Sequence, residues 1–259
     1  MSFLNCKGSG GLLALLLGVL LGFGTLLISG CSSNEEAQNA PEETAAVTNA
    51  LSSSWNYVAL GDSLAVGLYA SRSYVDRYAD YIDTDTGARV NLMNHGRSGE
   101  TSSQLLNALR NDESLRQALS AADVITFNIG INDFGHAVEA YDNGTCGGAD
   151  NQDCLRMALD TFKANWDAIV AELLSLRSTR DTVIRTVGLG HTPHIDGALK
   201  PYVDEVNEHI ATTSTNNHIP YVQAYLDKED VYPDGVHPND KGYEVIATQL
   251  RELGYGPLK

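Results

Sequence analysis

The sequence predicts a single α/β domain, built on a mostly parallel sheet of five strands with helices on both faces. Two observations carry that prediction. Short apolar runs alternate along the chain with longer amphipathic stretches, and a parallel sheet closed by crossover helices buries both kinds of surface. The alternating region is also long enough, at roughly 200 residues, for one sizeable core, and it shows no internal repeat. Of the 259 residues, 43% are hydrophobic and 19% charged, which is globular composition.

In chain order, the strand candidates are Tyr57–Leu60, Arg89–Met93, Val124–Ile129, Thr182–Val187 and Pro220–Ala224. The helical candidates between and after them are Leu64–Tyr81, Thr101–Leu119, Cys154–Leu176, Leu199–Thr213 and Lys241–Leu253. Within Cys154–Leu176, the side chains of Leu155, Leu159, Phe162, Trp166, Ile169, Val170 and Leu173 recur at helical spacing. They form one apolar face, as a helix lying on a sheet requires.

Upstream of Trp55 the material changes. Residues 1–30 carry Lys7 as their only charge and an apolar run from Leu12 to Ile28, which reads as a secretory signal. The run ends in Leu27-Ile28-Ser29-Gly30-Cys31, which resembles a bacterial lipobox. That resemblance implies cleavage before Cys31 and lipidation of its thiol, and so a lipid-anchored protein of the bacterial cell envelope, facing the periplasm or the exterior. The run is also almost long enough for an uncleaved membrane anchor. Residues 31–54 then read as the lipidated cysteine and a Ser/Asn/Glu/Ala/Thr-rich tether, and 55–259 as the folded domain.

Charge excludes some partners, and the cysteines fit an exported protein. A net charge of −16 with no Lys/Arg run argues against nucleic acid and against electrostatic docking on anionic lipid. With Cys6 in the signal and Cys31 in the lipobox, Cys146 and Cys154 remain, in and beside a Gly/Asp/Asn loop, and in an exported domain they most simply form one disulfide. The acidic loop Asp142–Asp153 lacks the EF-hand ligand pattern and reads as a stapled insertion over one edge of the site. No metal or cofactor is expected: His191 and His194 have metal-like spacing but no third ligand, and a substrate-contacting loop suits them better. His136 is a second pocket candidate, while His95, His209 and His218 read as structural. A monomer is expected.

In parallel α/β sheets the active site lies outside the carboxyl ends of the strands. The residues found there are Gly61-Asp62-Ser63-Leu64, then Asn94 to Thr101 with Gly96 and Gly99, then Gly130-Ile131-Asn132-Asp133; Pro233-Asp234-Gly235-Val236-His237-Pro238 precedes the last helix. Singly, each is an ordinary turn. Together, in order and spacing over Trp55 to Leu253, they resemble the four sequence blocks of the GDSL or SGNH hydrolases, a family of esterases and lipases. The resemblance implies a flavodoxin-like three-layer α/β/α sandwich and cofactor-free hydrolysis of small-molecule, lipid or carbohydrate esters. It casts Ser63 as nucleophile, Gly99 and Asn132 as oxyanion donors, and Asp234 and His237 as the acid–base pair.

The chemistry can be argued from the residues as well. A serine hydroxyl needs a base to take its proton and donors to hold the oxyanion. His237 can be that base, with Asp234 three residues earlier fixing its tautomer. The backbone N–H groups of Ser63 and Gly99 and the amide of Asn132 can be the donors, Gly99 being read as the start of a helix. Gly96 is an adjacent candidate for that role. Asp62 and Asp133 read as residues that shape their loops by hydrogen bonding. The α/β-hydrolase architecture does not fit: Ala65 stands where its motif needs glycine, Ser63 follows the first strand, and Asp234 and His237 share a turn. An acyltransferase or a carbohydrate O-acetylesterase would use the same residues. A non-catalytic ligand-binding surface lipoprotein would have no use for the set.

Overall fold

Five parallel strands form one sheet in the order β2-β1-β3-β4-β5. They are β1 (Ser54–Leu60), β2 (Arg89–Asn94), β3 (Val124–Phe127), β4 (Val183–Val187) and β5 (Tyr221–Val222). This computed structural model describes residues 53–190 and 197–258. The signal segment 1–30, Cys31, nearly all of the 31–54 tether, and His191 and His194 lie outside the described residues. Residues Asn49–Lys259 group as one compact unit.

Alternation along the strands explains the layers, because successive side chains point to opposite faces. In β1, Val58 and Leu60 belong to one core cluster, with Ile125 and Phe127 of β3 and Ile184 of β4. Tyr57 and Ala59 belong to the other, with Val124, Val183, Val187 and Val222. The first face is covered by α3 (Ser102–Asn111), α4 (Glu113–Ser120), α5 (Gly135–Asp142), α6 (Asp153–Leu176) and α7 (Lys200–Asn216). The second is covered by α2 (Tyr74–Thr86), packed on α8 (Asp240–Glu252). The result is the three-layer, flavodoxin-like sandwich expected from the sequence. All seven apolar positions anticipated on α6 are buried, each contributing roughly 1.5–3 kcal/mol relative to exposure.

The helices differ from expectation where local capping overrides periodicity. The stretch read as one helix over Leu64–Tyr81 is two. The first, α1, spans only Ser63–Val66 and stops at Gly67, whose left-handed backbone (φ 81°) cannot continue a helix. The second starts afresh at Ser73, whose hydroxyl accepts from the Asp76 N–H at 3.1 Å while the Asp76 carboxylate accepts from the Ser73 N–H at 3.0 Å. Likewise Thr101–Leu119 divides at Asp112, which caps α4 by accepting from the Leu115 N–H at 3.1 Å. Helix α5 has no counterpart among the helical candidates of the sequence.

The strand order fixes where a site can form. The chain leaves β1 for β2 on one side and enters β3 on the other, so a crevice opens between the carboxyl ends of β1 and β3. Ser63 follows β1, and Asn132 follows β3.

Candidate active site

Ser63 sits on a turn that its neighbours over-determine. Gly61 has φ +142°, and a Cβ there would come within 2.4 Å of the Asn128 side-chain oxygen, so only glycine allows β1 to turn so close beneath β3. Asp62, 2% exposed, caps α1 by accepting from the Leu64 N–H at 2.9 Å. Its carboxylate also accepts from Asn128 Nδ2 at 2.9 Å, and the Asn128 side-chain oxygen accepts from the Tyr74 hydroxyl at 2.9 Å. Burial raises Asp62 to about 6, against the lowering effect of those hydrogen bonds. The Tyr243 hydroxyl of α8 donates to the carbonyls of Ser63 at 3.4 Å and Leu68 at 3.3 Å, adding to the Gly67 and Leu68 N–H groups that already donate to the Ser63 carbonyl at 3.1 Å and tying the end of α1 to α8.

The loop that carries Asp234 and His237 is built locally. Val231 and Pro238 pair across it, and the Tyr232 N–H donates to the His237 carbonyl at 2.7 Å. Inside that clasp one oxygen of Asp234 accepts from the N–H groups of Val236 (2.9 Å) and His237 (3.0 Å). Its other oxygen lies 2.7 Å from His237 Nδ1, and His237 Nε2 lies 2.8 Å from Ser63 Oγ. Partial burial opposes ionisation of Asp234, but the hydrogen bonds from His237 and Val236 outweigh it and hold the carboxyl below its usual range. An ionised carboxylate only accepts, so Nδ1 carries the imidazole proton and Nε2 accepts from the Ser63 hydroxyl.

Asn132 and Gly99 join this line indirectly. Asn132 Nδ2 donates to the Glu100 carbonyl at 2.9 Å and lies 3.4 Å from Asp62, so its amide bridges the residue before Ser63 and the residue after Gly99. Gly99 does not begin a helix: it lies in a turn at φ +81°, ahead of Thr101, the cap of α3. Its N–H has no acceptor among the described residues, whereas the Gly96 N–H is committed to Asn94 Oδ1 at 2.9 Å. Gly96 serves packing instead, since a Cβ there would meet Ala65 of α1 at 2.8 Å. Asp133 accepts from both the N–H and the hydroxyl of Ser102, tying the loop after β3 to the first turn of α3.

A cavity of about 40 Å³ opens beside Ser63, walled chiefly by Leu64, Ile131, Leu189, Val236 and His237. Gly99 and Asn132 do not line it: each borders a separate open hollow, Gly99 with Arg97 and Gln104, Asn132 with Thr101 and His136. His136 therefore borders that second hollow and does not line the cavity beside Ser63. Cys146 and Cys154 are paired, with Cα atoms 4.9 Å apart, and Cys154 borders the same hollow as Asn132. His209 is held by Asp167 at 2.8 Å. Glu100 is 5% exposed, and burial lifts its carboxyl to about 7 despite Arg97 at 3.8 Å.

Sequence reasoning passes over Asn128, Tyr74 and Tyr243. A polar residue inside the apolar run Val124–Ile129 is the available signal for Asn128. The two tyrosines carry no sequence signal, because their partners lie 54 and 180 positions away.

Residues 59–245 match the sequence profile of the GDSL-like Lipase/Acylhydrolase family. The chain is 28% identical over 214 residues to the spore germination lipase LipC of Bacillus licheniformis, covering 78% of this chain and 98% of that protein. Among solved structures, the lipase Lip_vut3 from a goat rumen metagenome superposes with a TM-score of 0.70 at 25% identity, covering 80% of this chain and all of that one. The acetylxylan esterase Axe2 of Geobacillus stearothermophilus shares the fold, with a TM-score of 0.58 at 18% identity over 78% of this chain and 95% of its own.

Proposed function

The chain belongs to the GDSL-like lipase/acylhydrolase family and is an ester-bond hydrolase, and from that premise we propose a Ser63–His237–Asp234 mechanism acting on short acyl esters. The single observation that carries the mechanism is the unbroken line from Ser63 Oγ to His237 Nε2 (2.8 Å) and from Nδ1 to Asp234 (2.7 Å). In the first half-reaction Ser63 Oγ attacks the ester carbonyl as Nε2 takes its proton, giving a tetrahedral oxyanion. Collapse expels the alcohol, which receives that proton from His237, and leaves an acyl-serine. Water then repeats the sequence in reverse roles, releasing the acid. Asp234 stays ionised throughout and stabilises the imidazolium.

The oxyanion is proposed to sit between the Ser63 N–H, the Gly99 N–H and the Asn132 amide. Ser63 opens α1, so its N–H has no intrahelical acceptor. For Asn132, the long 3.4 Å contact to Asp62 is the one an oxyanion would replace, leaving the 2.9 Å bond to Glu100 as its hinge. The cavity beside Ser63 supports a short acyl group. About 40 Å³ holds roughly three water-sized groups.

The signal and Cys31 motif support an envelope lipoprotein whose catalytic domain works outside the cytoplasm, where the Cys146–Cys154 pair would persist. Two measurements test the whole reading. A fluorophosphonate should label wild-type protein at Ser63, and Ser63→Ala should lose labelling and turnover, on the order of 10⁶-fold in kcat, while unfolding at the same temperature. Turnover surviving in a folded Ser63→Ala protein would remove the mechanism. An intact mass retaining residues 1–30 would remove the lipoprotein assignment.

A further inference from the structure

Two tyrosines at the mouth of the site have no part in the Ser63–His237–Asp234 mechanism. Tyr69 and Tyr232 stack face to face, with ring centroids 4.4 Å apart and planes 13° from parallel. Tyr69 also meets the His237 ring edge-on at 5.3 Å. Both are exposed, Tyr69 by 54% and Tyr232 by 39%, and neither hydroxyl has a hydrogen-bond partner among the described residues. Val236, next to His237 in sequence, is 43% exposed. Large aromatic rings left in water next to a catalytic imidazole form an unfilled apolar surface.

The backbone adds a second observation. Tyr69 has φ +65°, a left-handed conformation that is strained for a bulky residue and that glycine or asparagine would adopt more cheaply. The strain is local to this position, because Gly67 has already turned the chain out of α1. What the strained position presents is the ring itself, carried on the segment after the nucleophile helix and stacked on a ring from the base loop.

Reaction geometry says which half of an ester would meet these rings. His237 Nε2 must hand its proton to the leaving oxygen, so the alcohol departs on the imidazole side. Substituents two or three bonds beyond that oxygen fall at the distance of Tyr69 from the imidazole. We propose that Tyr69 and Tyr232 form the alcohol-side subsite, and that it selects esters whose alcohol presents a flat ring face, aryl or pyranose, over linear alkyl alcohols. This inference rests on the Ser63–His237 mechanism and adds the leaving group to it. Offset stacking or CH–π contact on an aromatic face is worth about 0.5–1.5 kcal/mol beyond the area it buries, which corresponds to up to about tenfold in kcat/KM.

The test holds the acyl group constant. Acetates of benzyl alcohol, of methyl glucopyranoside and of n-heptanol are compared for wild type, Tyr69→Ala, Tyr232→Ala and the two Phe variants, with labelling by a small alkyl fluorophosphonate run alongside. The expected result is a wild-type preference for benzyl or pyranosyl acetate over heptyl acetate. That preference should shrink by about tenfold in either Ala variant and survive in the Phe variants, since the ring and not the hydroxyl carries it. A larger effect on benzyl or on pyranosyl acetate tells the two ring chemistries apart. Equal losses on all three acetates in the Ala variants would overturn the proposal, making the pair a clasp that merely aligns His237. Absence of any ring preference in wild type would overturn it too, and if wild type still labels, the mechanism survives that failure. Loss of labelling in wild type would instead remove the mechanism on which both rest.

Discussion

The turn that bears Ser63 and the loop that bears Asp234 and His237 meet at the hydrogen bond between Ser63 and His237, yet they are held in opposite ways. Asp62 is 2% exposed and bonded to Asn128, 66 positions on, whose side-chain oxygen in turn accepts from Tyr74, 54 positions back. Asp234 is about one-third exposed, and its hydrogen-bond donors among the described residues all lie within three positions of it. The first loop is fixed by the core, the second by its own turn. Damage to the first should therefore cost stability and activity together, and damage to the second activity alone.

The sharpest break is Asp234→Asn. It should cost on the order of 10³–10⁴ in kcat by favouring the wrong imidazole tautomer, with a melting temperature close to wild type. A marked loss of stability would show that the base loop is not self-supporting. Asn132→Ala comes next, with about 10²–10³ in kcat, the cost of one oxyanion donor; a loss confined to KM would remove it from that role. Asn128→Ala should behave differently. Removing it takes one donor from the buried Asp62 carboxylate and the acceptor from the buried Tyr74 hydroxyl, for about 3 kcal/mol of stability read by denaturant titration, with roughly tenfold in kcat from the loosened turn. An Asn128→Ala protein that is as stable as wild type would contradict the difference between the loops.

The smallest expected effect on activity concerns Glu100. Burial raises it to about 7 from 4.5, so between those pH values the folded protein keeps a proton that the unfolded chain has released. Its contribution to stability is therefore greatest at low pH and declines as pH rises through that window, by at most about 3 kcal/mol. Asp62, raised to about 6, acts with the same sign over a lower range. Glu100→Gln should flatten the decline in unfolding free energy between pH 4.5 and 7; an unchanged slope would place the titration elsewhere.

Much of this molecule is legible in its sequence. Strands announce themselves as apolar runs, and the face of α6 as a helical period, because both are local patterns set by burial. The four turns at the sheet edge are legible because tight turns need Gly, Asp or Asn at fixed offsets. The helix breaks at Gly67 and Asp112 are readable in principle, from Ser73-x-x-Asp76 and from Asp112 before Glu113, but amphipathic spacing on either side masks them. Gly99 misleads because a glycine ahead of a helix looks like its first residue, whereas Thr101 supplies the cap. Pairings across the fold are another matter. Asn128 under Asp62, Tyr243 against Ser63 and Tyr69 on Tyr232 depend on how the layers dock, and no window of sequence contains both partners.

Strand β1 has one more consequence. It enters the sheet at Ser54 and, seven residues on, delivers the turn that bears Ser63 at the opposite edge, a run of about 23 Å at ~3.3 Å per residue. Whatever grips the protein upstream of Ser54, a bead, a vesicle or a fusion partner, grips it at the end of this strand remote from the cleft. Coupling through the amino-terminal side is thus the natural way to immobilise the enzyme with its mouth turned to the solution.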